Sequence, residues 1–582
     1  MVLCELETIE QGDFREVHDE REDRCRYEYF PNDQDRQRSL TTDFVFNLEN
    51  ARWAPLAISS DPASASLWQP LKVSTFRNLL IANVVSDIGA FMQSVGAAWL
   101  MVSLNGGPMY VALTQTAAAL PFFLLALPAG AVGDIVDRRK IILFTQIWMM
   151  VVAAVLAVLT LGGTMSPVLL LLLTFALSAG DAFESPTWRA VLPELVQKED
   201  LPAASALNGI EFNLARAVGP ALAGAVVAFA GVGVAFLSNA FSFLGVIVVV
   251  ARWKRPVVRR ATPPETVAGA TRAAIRYVRY SPGVLRILVR GGTAMFFASA
   301  LLALLPSLAH RVSGSPIGYG VLLGGFGGGA VAGALVMQRA RARWPADVIV
   351  SAGIAAFGLA TMAAGALRLI WLLGIVMVVG GAAWVSFISL FNVEMLGLAP
   401  DWVRARVLAV AMLTFQGAVA GGSAAWGALA VRVGVDRALL WAGAGALVST
   451  VLALFLRLPN VSLDLTPWNH WRIPAVGSDI VGSDNDGPIL VTVEYDVASE
   501  HAADFIAAMR EYGRIRRRDG ASRWGICRDL EVPDRYIETF IVSSWAEHVR
   551  QHDRLTRSDS QVEERLGRYV AKVPSVRHLL YL

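Results

Sequence analysis

Acidic residues occur inside long apolar segments of this sequence, where an ionised side chain is costly. Four such acids and one arginine are Asp87, Asp181, Glu184, Glu211 and Arg216. A charge near the centre of a bilayer is expensive unless it faces water or a partner. A carboxyl group that takes up a proton becomes neutral, which lowers the cost of passing through a dry, closed state. These five residues are therefore candidates for proton coupling or for lining a polar cavity.

Each of these positions also has a structural explanation. Asp181 and Glu184 are three residues apart, hence on one helix face, and can belong to a network at a helix end. Glu211 and Arg216 can form a structural ion pair, and Asp87 can cap a neighbouring helix. At about 1.5 Å per residue, Asp181 and Glu211 fall at comparable depths. We expect Arg216 to pair with one of these acids.

A short polar motif between two apolar segments combines small, acidic and basic residues over positions 130–140. Its glycines allow two helices to approach closely, and an aspartate at a helix end can bind the positive end of a neighbouring helix. A positively charged membrane anchor is the alternative. A second polar group lies near position 400, where we expect Glu394 to pair with Arg404 or Arg406. The predicted gate comprises Gly130, Gly133, Asp134, Asp137, Arg138, Arg139, Glu394, Arg404 and Arg406.

One apolar segment contains a proline flanked by glycines: Gly219, Pro220 and Gly224. Proline bends a helix and glycine permits tight packing. The sequence therefore predicts a helix bend here, although a Gly-Pro pair is also common in membrane helices in general.

The elements that must position these residues follow from composition. The 582 residues are 55% hydrophobic and 17% charged, against about 25% charged in soluble domains. Twelve apolar segments of spanning length follow, six within 76–251 and six within 284–457. We predict an all-α membrane protein of twelve helices in two halves of similar construction.

Lysine and arginine concentrate in every second loop, while the opposite loops are nearly uncharged. Because positively charged loops stay in the cytoplasm, even-numbered spans end there and both termini are cytoplasmic. The predicted organisation is a disordered acidic tail at 1–70, an N-terminal six-helix bundle at 71–251, a basic cytoplasmic loop at 252–283, a C-terminal six-helix bundle at 284–457, a linker at 458–487 and a ferredoxin-like cytoplasmic domain at 488–582.

The C-terminal segment alternates strand and helix patterns in the order βαββαβ, which is the ferredoxin-like unit. It resembles the dimeric α+β barrel of small antibiotic-biosynthesis monooxygenases, which implies a possible homodimer. His548 and His552 are four residues apart and could ligate a metal, but no acidic or sulfur third ligand stands at a suitable spacing. We expect a surface or packing role and no metal.

The sequence predicts neither a cofactor nor an enzyme. The glycine run at 324–329 lacks the Lys-Ser/Thr ending of a phosphate loop, and no ATP site or catalytic set is visible. The formal net charge of +3 is too small to favour a nucleic-acid partner.

Several motifs together resemble the enterobactin-exporter-like branch of the major facilitator superfamily, in the subgroup with a C-terminal cytoplasmic extension. They are the polar motif at 130–140, the Gly-Pro motif and the stretches 88–100, 181–196, 400–407 and 464–467. The resemblance implies a twelve-helix (6+6) transporter in the bacterial inner membrane that exports siderophore-like or drug-like molecules, by proton antiport and alternating access. The partners would be small-molecule cargo, protons and the lipid bilayer.

Three other functions stay open at this point. Import instead of export is one, because the direction of transport depends on energetics that the residues do not reveal. The chain could be a transporter-like membrane sensor or scaffold that signals through its C-terminal domain. It could also be an enzyme tethered to a transporter-like anchor, although the lack of a catalytic set counts against this.

Overall fold

The computed structural model describes residues 13–19, 24–30, 44–47, 52–55, 67–254, 267–459, 463–468 and 487–581. Side chains are outside the described part in the four ranges before residue 67, and at 126–127, 130–131, 133–135, 267–268 and 270. Residues 1–66 and 67–582 are separate units.

Two antiparallel hairpins lie within the segment predicted to be a disordered tail. Strand β1 (Asp13–Asp19) pairs with β2 (Arg24–Phe30), and β3 (Phe44–Asn47) pairs with β4 (Arg52–Pro55). Aromatic and β-branched residues in these segments favour strand pairing. Isolated two-stranded hairpins are only marginally stable in water, so disorder of this tail stays a prediction.

Twelve of the described helices are long and apolar enough to cross a membrane, in agreement with the sequence prediction. They are α1 (Ser74–Ser103), α2 (Gly107–Ile135), α3 (Arg138–Leu161), α4 (Pro167–Leu195), α5 (Leu201–Ala230), α6 (Val232–Arg252), α8 (Pro282–Ser313), α9 (Pro316–Arg341), α10 (Ala346–Ala366), α11 (Ile370–Leu398), α12 (Asp401–Val433) and α13 (Val435–Ser449). The last is extended by the one-turn α14 (Leu452–Phe455).

Local signals explain where these helices begin and end. Prolines at the first positions, such as Pro167 and Pro316, lack an amide proton that would have no partner there anyway. Ser166 caps α4 by accepting a hydrogen bond from the Leu169 amide at 3.3 Å. Helix α8 ends at Gly314, whose φ of +62° is the left-handed conformation that glycine adopts readily.

The helices form two bundles with the same internal packing. In α1–α6 the main contacts are α1 with α5 and α6, α3 with α4 and α6, and α2 with α4. In α8–α13 the equivalent contacts are α8 with α12 and α13, α10 with α11 and α13, and α9 with α11. Between the bundles, α2 packs on α12 and α5 packs on α9. This correspondence is the internal repeat of a two-halved transporter fold.

Helix α7 (Val267–Tyr280) lies within the segment predicted as a basic loop. It buries Ala273, Ala274 and Tyr277, while Arg272, Ile275 and Arg279 are exposed. This spacing of three and four residues is the signature of an amphipathic helix. The sequence alone does not reveal this helix, because its many arginines equally well mark a cytoplasmic loop.

The C-terminal domain is an α+β fold with a four-stranded antiparallel sheet in the order β6-β7-β5-β8. Its elements are β5 (Ile489–Asp496), α15 (Ala502–Asp519), β6 (Ser522–Arg528), β7 (Arg535–Val542), α16 (Trp545–Arg554), α17 (Arg557–Gly567) and β8 (Ser575–Leu580). This confirms the ferredoxin-like fold. The region predicted as one helix is broken at Thr556, which starts α17 through a capping box with Asp559.

Contacts join the C-terminal domain to α7 and to the C-terminal bundle. Arg276 on α7 forms an ion pair with Glu547 at 3.0 Å, and the guanidinium group of Arg554 lies 4.6 Å from the centre of the Trp402 ring. Tyr277 donates a hydrogen bond to the Leu398 carbonyl, at the end of α11, at 2.6 Å. Helix α7 therefore bridges the soluble domain and the bundle α8–α13.

Candidate functional site

The helix array has one end whose loops carry clustered arginines and lysines, between α2 and α3 and between α6 and α8. We call this the basic end, and the opposite end the neutral end. In the neutral half the two bundles are in close contact along α5 and α9. A Cβ atom added to Gly224 would lie 3.1 Å from the Cα atom of Gly320, so these two glycines let the helix backbones touch.

An aromatic group closes the neutral end between α1, α8 and α9. The Trp99 ring lies 5.5 Å from the His310 ring and 6.4 Å from the Tyr319 ring, centre to centre. Trp99 and Tyr319 are buried. On the other side of the interface, Thr116 of α2 donates a hydrogen bond to the Ala420 carbonyl of α12 at 3.0 Å. These contacts join the two bundles on both sides of the neutral half.

Along α5 and α9 the close contact ends halfway through the array. A Cβ atom added to Gly327 of α9 would lie 3.2 Å from the Arg216 carbonyl oxygen. Towards the basic end, Gly209 and Asn213 on α5 and Val331 on α9 are exposed. The two helices thus part below Arg216, and a cleft opens towards the basic end.

Asp87 of α1 and Glu211 of α5 form a carboxyl pair. Their side chains share a hydrogen bond, and Glu211 is only 7% exposed. Two carboxylate groups have no proton to share, so one member of the pair must be protonated to donate to the other. The Oε1 atom of Glu211 is buried with no hydrogen-bond partner among the described residues. A hydrogen bond within the pair therefore requires one proton, and Glu211 has unused hydrogen-bonding capacity at Oε1.

Glu184 of α4 lies buried against α3. Its two oxygens contact the Thr145 hydroxyl at 2.7 Å and the Gln146 amide nitrogen at 2.8 Å. Thr145 also lies 3.0 Å from the Ile141 carbonyl oxygen. An ionised Glu184 accepts from Thr145; a protonated one donates to Thr145, which then donates to Ile141. The site satisfies both charge states of Glu184 without a change in packing.

Asp181 is exposed, whereas Glu184, three residues further along α4, is buried. The two were predicted to share one face, but the step of about 60° between them is enough to separate the cleft from the helix interface. Asp181 still interacts electrostatically with Asp87, and Glu184 interacts with both. The structure therefore gathers all four predicted acids into one electrostatic cluster within the N-terminal bundle.

The structure does not pair Arg216 with any of these acids. The guanidinium group of Arg216 is affected by burial, and no charged group among the described residues interacts with it. Arg216 follows Glu211 by five residues, which places it about 140° away around the helix. The acid cluster lies towards α1 and α4, whereas the Arg216 backbone lies against α9. The predicted ion pair is thus not formed: Arg216 has no acidic partner among the described residues.

The basic residues of the predicted gate hold the N-terminal bundle together at its basic end. Asp137 caps α3 by accepting from the Arg139 amide at 2.8 Å. Arg138 pairs with Glu194, at the end of α4, at 2.7 Å. The Arg139 side chain donates to the Val250 carbonyl, at the end of α6, at 3.0 Å, which stabilises the helix terminus. Of the same motif, Gly130, Gly133 and the Asp134 side chain lie outside the described residues.

Glu394 does not pair with Arg404, one of the two arginines predicted for it. Arg404 instead pairs with Asp401, three residues before it on α12, at 2.6 Å, and its Nε atom donates to the Ala399 carbonyl. Glu394 is half-buried and interacts with Arg341 of α9. The cation that acts on Glu394 thus lies on a neighbouring helix and not in the loop that follows α11. Spacing along the chain does not reveal such a partner.

The Gly-Pro motif serves close packing. A Cβ atom added to Gly219 would lie 2.6 Å from the Phe91 Cβ atom of α1, while Gly224 meets α9. Helix α5 runs unbroken from Leu201 to Ala230 with Pro220 inside it. The motif therefore allows α5 to contact both bundles. A bend at this motif stays a prediction.

Sequence reasoning missed two groups of polar partners. Thr145 and Gln146 are adjacent polar residues in the apolar α3, and that interruption was the available signal. Arg290 of α8, 3% exposed, forms a buried ion pair with Asp347 of α10 and donates to Ser351 at 2.9 Å. The sequence does not reveal this pair, because Arg290 and Asp347 are far apart along the chain.

A cavity of about 190 Å³ lies in the C-terminal domain between the sheet and α16. His548, His552 and His578 line it with Arg516 and apolar residues. Among the described residues, no group of three His, Cys, Asp or Glu side chains is placed to hold a metal ion. Burial, followed by the neighbouring His552 and His578, lowers the pKa of His548 to about 3, so its imidazole is neutral at physiological pH.

Comparison with known proteins places these features in context. The profile of the transmembrane secretion effector family matches residues 65–582. The multidrug efflux pump Tap of Mycolicibacterium fortuitum is 25% identical over 405 residues, which are 67% of this chain and 97% of that protein. The staphyloferrin A transporter of Staphylococcus aureus is 27% identical over 158 residues, 27% of this chain, and this match spans only 40% of that transporter.

Solved structures show the same fold at low sequence identity. A bacterial homologue of the human lysosomal transporter Spinster, in an inward-facing conformation, has a TM-score of 0.52 and 14% identity, covering 67% of this chain and 96% of that one. A transporter of the POT family has a TM-score of 0.55 and 12% identity, covering 65% and 95%.

Proposed function

This chain belongs to the transmembrane secretion effector family of the major facilitator superfamily, and we propose that it exports small organic molecules from a bacterial cytoplasm in exchange for protons. It is a multi-pass membrane protein, and twelve helices among its described residues are long and apolar enough to span the membrane. Export is proposed because relatives over most of the membrane part are named efflux pumps. Molecules of the drug-like or siderophore-like class are the proposed cargo.

The charge distribution supports the proposed orientation. The basic end carries Arg138, Arg139 and Lys140 and the arginines of α7, and positively charged loops are retained in the cytoplasm. With this orientation the cleft between α5 and α9 opens to the cytoplasm and the aromatic closure faces outwards. Cargo then enters from the cytoplasm, and alternating access moves the closure from the neutral end to the basic end.

The single observation that carries the proton-exchange proposal is the hydrogen-bonded pair of Asp87 and Glu211. Loss of the shared proton would leave two negative charges side by side in a site of low dielectric constant, which is strongly unfavourable. A proton arriving from outside neutralises one charge and permits the closed state, and its release to the cytoplasm resets the pair. Glu184 can change its charge in place, which makes it a second candidate for the same role.

Inverted membrane vesicles test this function directly. Vesicles from cells with and without the protein are energised to acidify their interior and incubated with a cytoplasmic metabolite extract; mass spectrometry then identifies what they accumulate. We expect specific compounds to enter only the vesicles that contain the protein, and a protonophore to abolish their entry. Equal accumulation with and without the protonophore would reject proton exchange, and absence of any protein-dependent compound would reject export.

A membrane sensor is a second candidate, favoured by the docking of the C-terminal domain on α7 and on Trp402 of α12. Occupancy of the domain could be transmitted to the helix bundle through these contacts, or the reverse. Ligand-dependent protection of α7 in hydrogen-exchange measurements, without transport in vesicles, would favour this candidate over the exporter.

A further inference from the structure

Arg216 occupies a place where a lone charge needs an explanation. It lies at the midpoint of α5, which runs from Leu201 to Ala230, and hence at about mid-depth of the membrane. A guanidinium group keeps its charge in proteins, and a charge at this depth is costly unless water or a partner compensates it. No acidic partner is present among the described residues, as shown above.

The surroundings of α5 show which way Arg216 faces. In the neutral half, the side of α5 formed by Arg216, Ala217 and Gly224 lies against α9. In the basic half, the continuation of that side exposes Gly209 and Asn213. Ile210, seven residues before Ala217 and hence on nearly the same side, is 54% exposed as well, so this side of α5 has no helix packed on it in the basic half. Arg216 therefore stands at the top of the cleft between the bundles.

The side of the cleft opposite Arg216 is also accessible and mildly polar. On α9, Gly328 has open space beside it, and Val331 and Gln338, one and three turns further towards the basic end, are exposed. A molecule that enters from the basic end would thus reach Arg216 last, at the point where α5 and α9 meet. This is the position expected of a ligand-binding group in a two-bundle transporter.

We infer that Arg216 binds an oxyanion of the cargo, above all a carboxylate, so that the exported molecules are organic anions. A planar guanidinium group matches a carboxylate with two parallel hydrogen bonds. The bound anion would neutralise Arg216, and the carrier could then close around the cargo at lower cost. This inference rests on the proposed export function and adds the cargo class to it.

The acid cluster and Arg216 then have separate tasks on opposite sides of α5. The pair of Asp87 and Glu211 holds the proton, and Arg216 holds the cargo anion. Because a separation of about 140° around the helix keeps the two sites apart, the cargo does not need to displace the proton from its own residue. Proton and cargo movement would be coupled because closing the carrier is costly in free energy while the acid pair or Arg216 carries an uncompensated charge.

The test uses inverted vesicles containing the full-length protein, with a metabolite extract as the probe. We compare wild type with Arg216→Gln and Arg216→Lys, and sort the accumulated compounds by charge at neutral pH. We expect the wild type to accumulate carboxylates and other anions. Arg216→Gln should lower this accumulation about tenfold or more, since a charged hydrogen bond is lost, and Arg216→Lys should retain part of it. Arg368→Gln, at the neutral end where Arg368 pairs with Asp436, is the matched control and should retain anion uptake.

The outcomes separate this inference from the proposal beneath it. Uptake of cations or neutral molecules alone, or unchanged anion uptake in Arg216→Gln, would overturn the anion inference and leave export intact. No protein-dependent uptake in the wild type would overturn export itself. Should Arg216→Gln fail to reach the membrane, the charge class of the wild-type cargo and the Arg216→Lys result decide the question.

Discussion

The two six-helix bundles share one packing scheme but treat their charges differently. In the N-terminal bundle, Asp87, Glu184 and Glu211 have carboxyl, hydroxyl or amide partners and, among the described residues, no cation. In the C-terminal bundle, Asp347 pairs with Arg290, and Asp436 pairs with Arg311 and Arg368. A carboxylate held by arginine stays ionised, whereas a carboxyl group held by another carboxyl group can change its charge.

This difference assigns different tasks to the two halves. In the proposed proton exchange, the N-terminal bundle provides the groups that titrate. The C-terminal bundle provides fixed charges, and it also anchors α7 and the soluble domain through Leu398 and Trp402. The repeat of the fold thus gives two bundles with the same packing, and the acids buried without a cation partner among the described residues that we propose to titrate lie in the N-terminal one.

The largest effect that would sharpen this comparison concerns Glu211. We expect Glu211→Gln to reduce uptake into energised inverted vesicles to the level of empty vesicles, because the pair can no longer cycle between two charge states. Exchange of labelled for unlabelled cargo without a gradient should persist, since it needs no net proton movement. Glu199→Gln, an exposed acid before α5, is the control. Gradient-driven uptake by Glu211→Gln at the wild-type rate would break the comparison.

Removing a fixed charge from the C-terminal bundle should instead affect stability. Asp347→Ala leaves the buried Arg290 without its acid, and because the Asp347 side chain is 26% exposed, we expect a cost of about 1–3 kcal/mol. We expect a clear fall in the thermal unfolding temperature of the detergent-purified protein, with the proton dependence of uptake retained in the fraction that folds. Asp401→Ala removes a pair on the exposed start of α12 and should change the unfolding temperature little. A larger loss in Asp401→Ala than in Asp347→Ala would contradict the assignment.

The anchoring role of the C-terminal half predicts a smaller, local effect at Glu547. Burial raises the pKa of Glu547, but Arg554 and Arg276 together lower it by more than burial raises it. The pKa of Glu547 therefore lies below its ordinary value. Its ion pairs therefore stabilise the docked domain above the ordinary glutamate pKa, and weaken as pH falls below it. At neutral pH we expect Glu547→Ala to increase hydrogen exchange in α7, while α1–α6 stay protected. Glu500→Ala, an exposed acid of the same domain, should leave the exchange of α7 unchanged.

The smallest predicted effect is a pH dependence of the soluble domain. The pKa of His548 is lowered to about 3 in the folded state, against about 6.5 in an unfolded chain. The unfolded state therefore binds more protons between these values, and folding stability falls as pH drops from about 6.5, by at most about 1.4 kcal/mol per pH unit. Hydrogen exchange of β5 and β7 in the full-length protein should show this slope. His548→Gln should flatten it, and the exposed His501→Gln should not.

The sequence predicted the spanning helices well, because length and apolar composition determine them almost alone. Helix α1 begins at Ser74, close to position 76, where the first group of predicted spans begins. The ferredoxin-like order was also recoverable from the alternation in β5 and the helical spacing in α15. These signals are local, and local patterns are what a sequence displays directly.

Side-chain partners were less predictable, because they depend on helix rotation and on neighbours far along the chain. Arg216 was expected to meet an acid, yet it lies on the side of α5 away from Glu211. Glu394 met Arg341 rather than Arg404. Helix α7 was hidden among arginines that served equally well as an orientation signal. In each case the missing information was which faces of distant helices come together.

The central claim is that the pair of Asp87 and Glu211 holds one proton, and infrared spectroscopy measures this directly. A protonated carboxyl group has a C=O stretching band that an ionised one lacks. For the purified protein in lipid at neutral pH, we predict that the difference spectrum of wild type minus Glu211→Gln contains a protonated-carboxyl band, which Asp87→Asn shifts in frequency. A difference spectrum that contains ionised-carboxylate bands alone would contradict the account.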